Sequence, residues 1–568
     1  MTRRDPLGHL VLEQLLRERG FAGLVSTDSQ LLETYSTDES VFSIAPQVVL
    51  QPRNVEDVSI ASTLVSAETK RFDSLSLTPR GGGVGVSGGS LTNSVVIDMS
   101  TYLTQCGAVE HKKADEVHIT CEAGVRWSAM LDKLHAVGFD IPIEIAAKDA
   151  TTVGGAVANN AAGVAVDGSY QRCSESVVTM QVVLADGAAY DVQPLTYKQF
   201  QTLSKKKHEY ARILRELYTL LEKNESEIKK NHNNQAIKLT GYNLWDVLPQ
   251  GSKAFKKGNG VLNPIPLLAG SQGTIGLITA ITLRAVPRSD HTTLLAVPVF
   301  DLNEMAGQLE TAHSLGITSV EAFDGRTFDL ALQHPEFFKK IRSGMTYYRT
   351  VLAMYTTYHI RYQRVFPELV LLMRVSDSVL KNHPTYELNE KISTKHNLAR
   401  TVTNPVEEDM FWLLHRSAYA LANLRDYRKR PATFLEDMRV PLKNLPRFIN
   451  AANNLFKEFS VDAVIHGHAG IGHLHFYPLV DFTSKTAPAL VEKLSDRFFD
   501  LAIKYEGEMC PEYNDGILRT PRLNKLFSKK ALNLFTQLEH IFDPNDIFNP
   551  GKKVNPRFDV SEVLRTHN

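Results

Sequence analysis

Four histidines fall within ten residues, in Ile465-His466-Gly467-His468-Ala469-Gly470-Ile471-Gly472-His473-Leu474-His475. Neutral imidazoles are common ligands of Zn²⁺, Mn²⁺ and Fe²⁺, and intervening glycines let a chain fold closely around an ion. The other reading of the same residues is a set of partly buried histidines satisfied by hydrogen bonds. The apolar run 461–465 just before them predicts that the segment leaves the end of a buried strand.

A second chemistry is written in three glycine-rich segments. Pro79-Arg80-Gly81-Gly82-Gly83-Val84-Gly85-Val86-Ser87-Gly88-Gly89-Ser90 places six glycines in nine residues. Such a stretch packs no core, but it permits positive φ and close backbone approach to a ligand. Successive N–H groups form an anion nest suited to a pyrophosphate, and Arg80 adds charge-assisted bonds. Residues 91–99 read as a strand, so this is not the G-x-G-x-x-G that opens a βαβ unit. No Gly-Lys-Ser/Thr of a Walker loop follows. The second segment is Thr151-Thr152-Val153-Gly154-Gly155-Ala156-Val157-Ala158-Asn159-Asn160-Ala161-Ala162-Gly163. Its small residues let a flat ligand lie against backbone, and its asparagines offer hydrogen bonds to ring heteroatoms. The third is Ala269-Gly270-Ser271-Gln272-Gly273-Thr274-Ile275-Gly276-Leu277-Ile278-Thr279. Three such segments are poor for stability unless a large ligand fills the space between them.

These groups need elements to hold them. Helical periodicity is read at 8–25, 55–69 and 127–137, and strands at 47–50, 95–99, 117–121 and 180–184. The mixture predicts an α+β nucleotide-binding region from about 46 to 288. Within it, Lys- and Asn-rich residues 200–260 read as an insertion with a mobile tip at 231–234. Residues 289–555 predict a helix-rich cap or substrate domain, residues 1–45 an N-terminal helical segment, and 556–568 a peripheral tail. The 568 residues are 43% hydrophobic and 22% charged, and 63 Lys+Arg balance 63 Asp+Glu. No global field recruits nucleic acid or anionic lipid. The four cysteines show no C-x-x-C spacing, which argues against an iron–sulfur cluster or zinc ribbon within this chain and suits a reducing compartment. Neither a secretory signal nor a membrane-spanning run is expected, which points to the cytoplasm; peripheral contact with the inner face of a membrane stays open.

The three glycine segments, in this order, resemble the FAD-binding domain of the vanillyl-alcohol oxidase and p-cresol methylhydroxylase (PCMH) type. Within that superfamily the chain is most similar to the D-lactate, glycolate and D-2-hydroxyglutarate dehydrogenases. The resemblance implies a two-subdomain PCMH-type FAD-binding domain, an α+β cap domain and a C-terminal helical segment. It implies that Gly81, Gly82, Gly83, Val84, Gly85, Ser87 and Gly88 hold the pyrophosphate with Arg80. Thr152, Gly154, Gly155, Asn159, Gly163 and Ile275 then approach the rest of the nucleotide. Some relatives attach FAD through a histidine in the first loop; Val84 stands there, so attachment is expected to be non-covalent. Gln272 stands where many relatives carry Glu. The segment Asp543-Pro544-Asn545-Asp546-Ile547-Phe548-Asn549-Pro550-Gly551-Lys552 matches a family element whose Asn549 and Lys552 return the chain to the flavin.

By the same resemblance, His468 and His475 ligate a divalent metal, Zn or Mn, with Glu512 of Glu512-Tyr513-Asn514-Asp515-Gly516 as third ligand. Two imidazoles and a carboxylate leave positions open for substrate. Tyr513 replaces the family histidine often assigned as general base. The base is therefore Tyr513 or His473, and His473 is alternatively a fourth ligand. Arg416, in Phe411-Trp412-Leu413-Leu414-His415-Arg416, resembles the family arginine that grips the substrate carboxylate, displaced by one residue; Arg430 is a second candidate. The implied activity is FAD-dependent oxidation of a small 2-hydroxy acid, with electrons passed to a quinone or a separate acceptor protein. Other readings are an FAD enzyme of altered substrate and a non-catalytic electron-transfer subunit.

Overall fold

The structure is a computed structural model that describes residues 7–69, 71–72, 74–164, 170–232, 239–288, 292–426, 428–509 and 512–565. Three main sheets organise the chain. The first runs in the order Leu24–Ser26, Val48–Gln51, Val95–Asp98, Leu77–Arg80, and its last three strands are parallel. Parallel neighbours need a crossover. Here the crossover from Leu77–Arg80 to Val95–Asp98 is the first glycine segment. Glycine is a poor helix former, and the segment stays a loop in which Gly83 and Gly88 take φ of +71° and +73°. The strand expected over 91–99 is correspondingly shorter, Val95–Asp98.

The second sheet is antiparallel, in the order Ala189–Val192, Val177–Val183, Leu277–Pro287, Glu116–Glu122, Cys106–Lys113. The second glycine segment enters the helix Val153–Asn159. The Thr152 hydroxyl accepts the Gly155 N–H at 3.1 Å and so caps the helix. The helix ends at Asn160 with φ of +50°. The third segment feeds the strand Leu277–Pro287.

Residues 200–260 are partly helical and contribute to a core. The helix Glu209–Lys223 buries Tyr210, Leu214, Leu217 and Leu221 in one core with Trp245 and Phe535. Surface lysines mask a continuous apolar face that packs on the C-terminal helix Lys529–Phe542. Asn233 and Asn234 of the expected tip lie outside the described residues.

The third sheet is antiparallel, in the order Arg400–Val402, Thr292–Val299, Leu369–Ser376, Val320–Asp324, Ala463–His468, His473–Val480, Leu435–Arg439, Glu508–Met509. The short strand Arg430–Pro431 joins it on His473–Val480. After this sheet the chain returns to the first one. Leu77 N–H donates to the Ile547 carbonyl at 2.7 Å, and Asn549 N–H to the Leu77 carbonyl at 2.9 Å. The helix Lys529–Phe542 buries Leu534, Phe535 and Leu538 against the second sheet's core. The α+β class read from the sequence is the one observed. The final part of the 289–555 stretch packs with the glycine-loop region.

Candidate active site

The four histidines sit on a β-hairpin. Strands Ala463–His468 and His473–Val480 pair antiparallel, with His466 opposite His475 and His468 opposite His473. Side chains two apart share a face of a strand, and directly opposed residues share it too. One face therefore carries all four imidazoles; the His473 and His475 ring centroids are 4.7 Å apart and those of His466 and His475 5.0 Å. Gly472 makes the tight turn at φ +74°, where a Cβ would strike the Val440 carbonyl.

Glu512 completes the cluster. Ligand atoms of His468, His475 and Glu512 all lie within 4.8 Å of one another. Glu512 Oε2 is 3.4 Å from His468 Nε2 and 3.7 Å from His475 Nε2. That oxygen is buried and accepts no hydrogen bond. An orphaned carboxylate oxygen facing two imidazole nitrogens is a costly arrangement that a divalent cation relieves. The far nitrogens are held as metal ligands' usually are: His475 Nδ1 lies 2.7 Å from the Glu436 carbonyl, and His468 Nδ1 2.9 Å from Glu321 Oε2. Glu321 is shared with His415, whose Nε2 is 3.2 Å away. Burial, then the neighbouring His473, pushes His475 down to about 3, which keeps it neutral and ready to ligate. Burial acts to lower His468 too, but Glu321 and Glu512 raise it well above its ordinary value.

The loop carrying Glu512 is suspended from a buried charged network. Asp437 accepts the N–H groups of Glu512 and Tyr513, each at 2.8 Å. Its Oδ1 also lies 3.3 Å from His473 Nε2. Arg519 binds Glu436 and donates to the Asn514 carbonyl at 2.9 Å. Lys553 pairs with Asp515 at 2.6 Å. Removing one partner of such a buried pair leaves an uncompensated charge.

Next to the cluster is a cleft of about 570 Å³, walled by all three glycine segments and by Tyr419, Tyr477, Glu512 and Tyr513. Arg80, Gly81, Gly82, Gly83, Val84, Gly85 and Ser87 line it on one side, and Thr152, Gly154, Gly155 and Asn159 on another. The missing side chains have a second role. A Cβ on Gly82 would meet the Ala150 carbonyl, and one on Gly154 would meet Ala123. The glycines thus let the loops approach each other and shape a flat-walled slot. Arg80 donates to the Thr37 carbonyl at 2.8 Å and borders the cleft beside that bond.

Several expected residues support the cleft without lining it. Gly88 turns the loop against Phe42 and Ile517, and Gly163 packs on the Glu144 backbone. Ile275, two residues before the strand Leu277–Pro287, is buried in the apolar core and does not line the cleft. Asn549 ties two glycine segments together, donating to the Gly89 and Gln272 carbonyls at 2.8 and 2.7 Å. Val84 offers no nucleophile, which fits a cofactor held without a covalent bond.

Two catalytic expectations change. Arg416 is exposed on the helix Pro405–Ala422, and His415 takes the inward position toward Glu321; one residue is about 100° of helix. Arg430 is exposed as well. Of the two candidate bases, Tyr513 borders the cleft, whereas His473 is buried behind Glu512 at 3.7 Å. Burial, with Glu512 next, raises the Tyr513 phenol well above 10, so without a cation it is a donor. Sequence reading missed Glu321, Glu436, Asp437 and Arg519. The available signal was charge inside buried strands, as in Val320–Asp324 and Leu435–Arg439.

Comparison with known proteins agrees with this geometry. The family model described as FAD binding domain matches residues 46–193, and that described as FAD linked oxidases, C-terminal domain, matches 288–553. The chain is 24% identical over 574 residues to D-2-hydroxyglutarate dehydrogenase of Haemophilus influenzae, covering 98% of this chain and 53% of the relative. It is 25% identical over 529 residues to D-lactate dehydrogenase of Archaeoglobus fulgidus, covering 92% and 96%. The chain therefore spans about half the length of the first of these relatives and nearly all of the second. A solved structure of p-cresol methylhydroxylase with substrate bound superposes with a TM-score of 0.63 at 13% identity, over 96% of this chain and 97% of that one. The chain belongs to the FAD-linked oxidases, with the p-cresol methylhydroxylase fold and its sequence relatives among the D-2-hydroxyglutarate and D-lactate dehydrogenases.

Proposed function

We propose that the protein is an FAD-dependent dehydrogenase that oxidises a small 2-hydroxy acid to the 2-oxo acid and passes electrons to a quinone or a protein acceptor. One observation carries the reading: Glu512 belongs at once to the wall of the flavin cleft and to the histidine cluster, and Tyr513 beside it lines the same cleft with its ring centroid 5.4 Å from that of His475. A substrate at the cluster is thereby held against the cleft. When bound, a divalent ion on His468, His475 and Glu512 supplies Lewis acidity at the substrate hydroxyl, and non-covalent FAD supplies the two-electron acceptor.

This chain's own residues do the rest. His475 and His468 present their Nε2 atoms from a rigid hairpin, fixed from behind by the Glu436 carbonyl and by Glu321. Tyr513, on the cleft wall, hydrogen-bonds the substrate hydroxyl and is the group assigned to relay its proton; His473, backed by Asp437, is the alternative relay. Tyr419, Tyr477 and Tyr513 line the cleft and give it aromatic surface on the side of the cluster.

A second reading, an altered acid, is favoured by one observation: both Arg416 and Arg430 are exposed. An anaerobic titration with D- and L-lactate, glycolate and both 2-hydroxyglutarates, with metal assayed on the same sample, tests both readings. Bleaching of the flavin band by one of these acids is expected. A yellow, metal-loaded protein that none of them bleaches supports the altered acid. A yellow protein that stays metal-free overturns the metal-centred reading and leaves an electron-transfer subunit.

A further inference from the structure

The helix Gly344–Thr356 is amphipathic in an unusual sense. Its inner face, with Thr350 and Met354 buried, packs on the helix Pro405–Ala422. Its outer face carries Met345, Tyr348, Leu352 and Tyr355, at spacings of three, four and three residues, on one side. Met345, Tyr348 and Leu352 are 66%, 65% and 66% exposed. Flanking turns add Ile341, Ile360 and Val365, also exposed, with Ile360 at 71%. Single exposed apolar residues are ordinary, but a contiguous group of this size marks an interaction surface.

The charge around it selects the partner. Residues 337–367 contain six Lys or Arg and no Asp or Glu, in a chain whose overall balance is zero. Arg342 is paired with Asp409 and Arg361 with Glu407. Lys340, Arg349 and Arg364 are exposed and have no acidic partner among the described residues. Exposed tyrosines and aliphatics rimmed by unneutralised cations complement a surface that is apolar beneath and anionic above.

We propose that this face docks the protein on an anionic phospholipid bilayer, with Met345, Tyr348 and Leu352 entering the headgroup boundary and Lys340, Arg349 and Arg364 meeting lipid phosphates. The docking stands on the surface alone and does not depend on which acid is oxidised. It places the protein beside acceptors dissolved in the bilayer. Attachment through one amphipathic face and a few cations is reversible and salt-sensitive.

The test is co-sedimentation of the FAD-loaded full chain with vesicles of phosphatidylglycerol mixed into phosphatidylcholine, and with pure phosphatidylcholine. Sedimentation with the anionic vesicles alone is expected, and added salt should release the protein. The triple variant Lys340→Gln, Arg349→Gln, Arg364→Gln should partition about a hundredfold less, at roughly fivefold per cation. Tyr348→Ser with Leu352→Ser should stay in the supernatant; these positions are exposed, so the flavin spectrum should not change. Failure of the wild type to sediment overturns the proposal, as does sedimentation that neither variant alters. A wild-type dimer that Leu352→Ser returns to monomer, without vesicle binding, would assign the face to a second copy and overturn it equally.

Discussion

Gln272 accepts the backbone N–H of Gly516 through its side-chain oxygen at 2.9 Å, and so fastens the third glycine segment to the loop that carries Glu512. Its amide nitrogen donates to Ser87 Oγ at 3.0 Å and to Asn159 Oδ1 at 3.2 Å. One side chain thus joins the first, second and third glycine segments to the loop that carries Glu512. Only an amide offers this combination, because a carboxylate has no hydrogen to give Asn159. Gln272→Ala should lower stability by about 3 kcal/mol, at about 1 kcal/mol per bond, and should weaken FAD retention and metal binding together. Gln272→Glu should keep the bond to Gly516 and lose the contact with Asn159. Urea unfolding and flavin release measured on both variants check this; an alanine variant that holds FAD and metal like the wild type would show that the loops are fastened elsewhere.

Glu321 reaches the cluster only through His468 and His415. It fixes the orientation of the His468 ring and, under the proposed metal site, would make its far nitrogen a better ligand. Loss of such a partner costs roughly 10–100-fold in metal affinity. Glu321→Gln should show that loss in a chelator competition, with the flavin spectrum unchanged. Unaltered metal affinity in this variant would remove Glu321 from the site's working parts.

Tyr513 and His473 are separated by where they stand. The former borders the cleft and the latter lies behind Glu512. If Tyr513 relays the proton, Tyr513→Phe should reduce kcat by roughly 10²–10⁴-fold, with KM and bound metal little changed and one limb of the pH profile flattened. His473→Asn should instead disturb metal content, because His473 sits between Asp437 and Glu512. The opposite pattern, a proton-transfer defect in His473→Asn alone, would reverse the assignment.

Much of this site was legible in the sequence because its signals are local. Six glycines between two apolar strands, and histidines at intervals that share one strand face, are visible without knowing the fold. The supports were not, because they are ordinary charged residues far away in the chain. Glu321 lies 147 residues from His468, and Glu436 lies 83 residues from Arg519. Their one trace is position: Val320–Asp324 and Leu435–Arg439 are strands whose carboxylates are buried with their apolar neighbours, and a buried carboxylate needs a partner. Arg416 stands at the surface for a geometric reason. On a helix a one-residue displacement turns a side chain from the site to solvent, and nothing in the local sequence distinguishes the two. The packing of the helix Glu209–Lys223 was hidden for another reason: its apolar face is continuous, but the partner that covers it, Lys529–Phe542, arrives three hundred residues later.

That same C-terminal helix carries a pH-dependent strain. Glu539 is buried and accepts a hydrogen bond from the Tyr242 hydroxyl. Burial pushes its carboxyl up from 4.5 to about 8. The folded state therefore keeps a proton that the unfolded chain releases, so the contribution to stability is fully present below pH 4.5 and is lost as pH rises toward about 8. The loss is on the order of 1 kcal/mol per pH unit within that window. Glu539→Gln keeps the acceptor for Tyr242 and cannot ionise. Its stability should match the wild type near pH 4.5 and exceed it increasingly toward pH 8. Urea midpoints for both proteins at several pH values measure this directly. A constant difference across the range would mean that Glu539 is charged in the folded protein and that a nearby cation, such as Arg557, neutralises it.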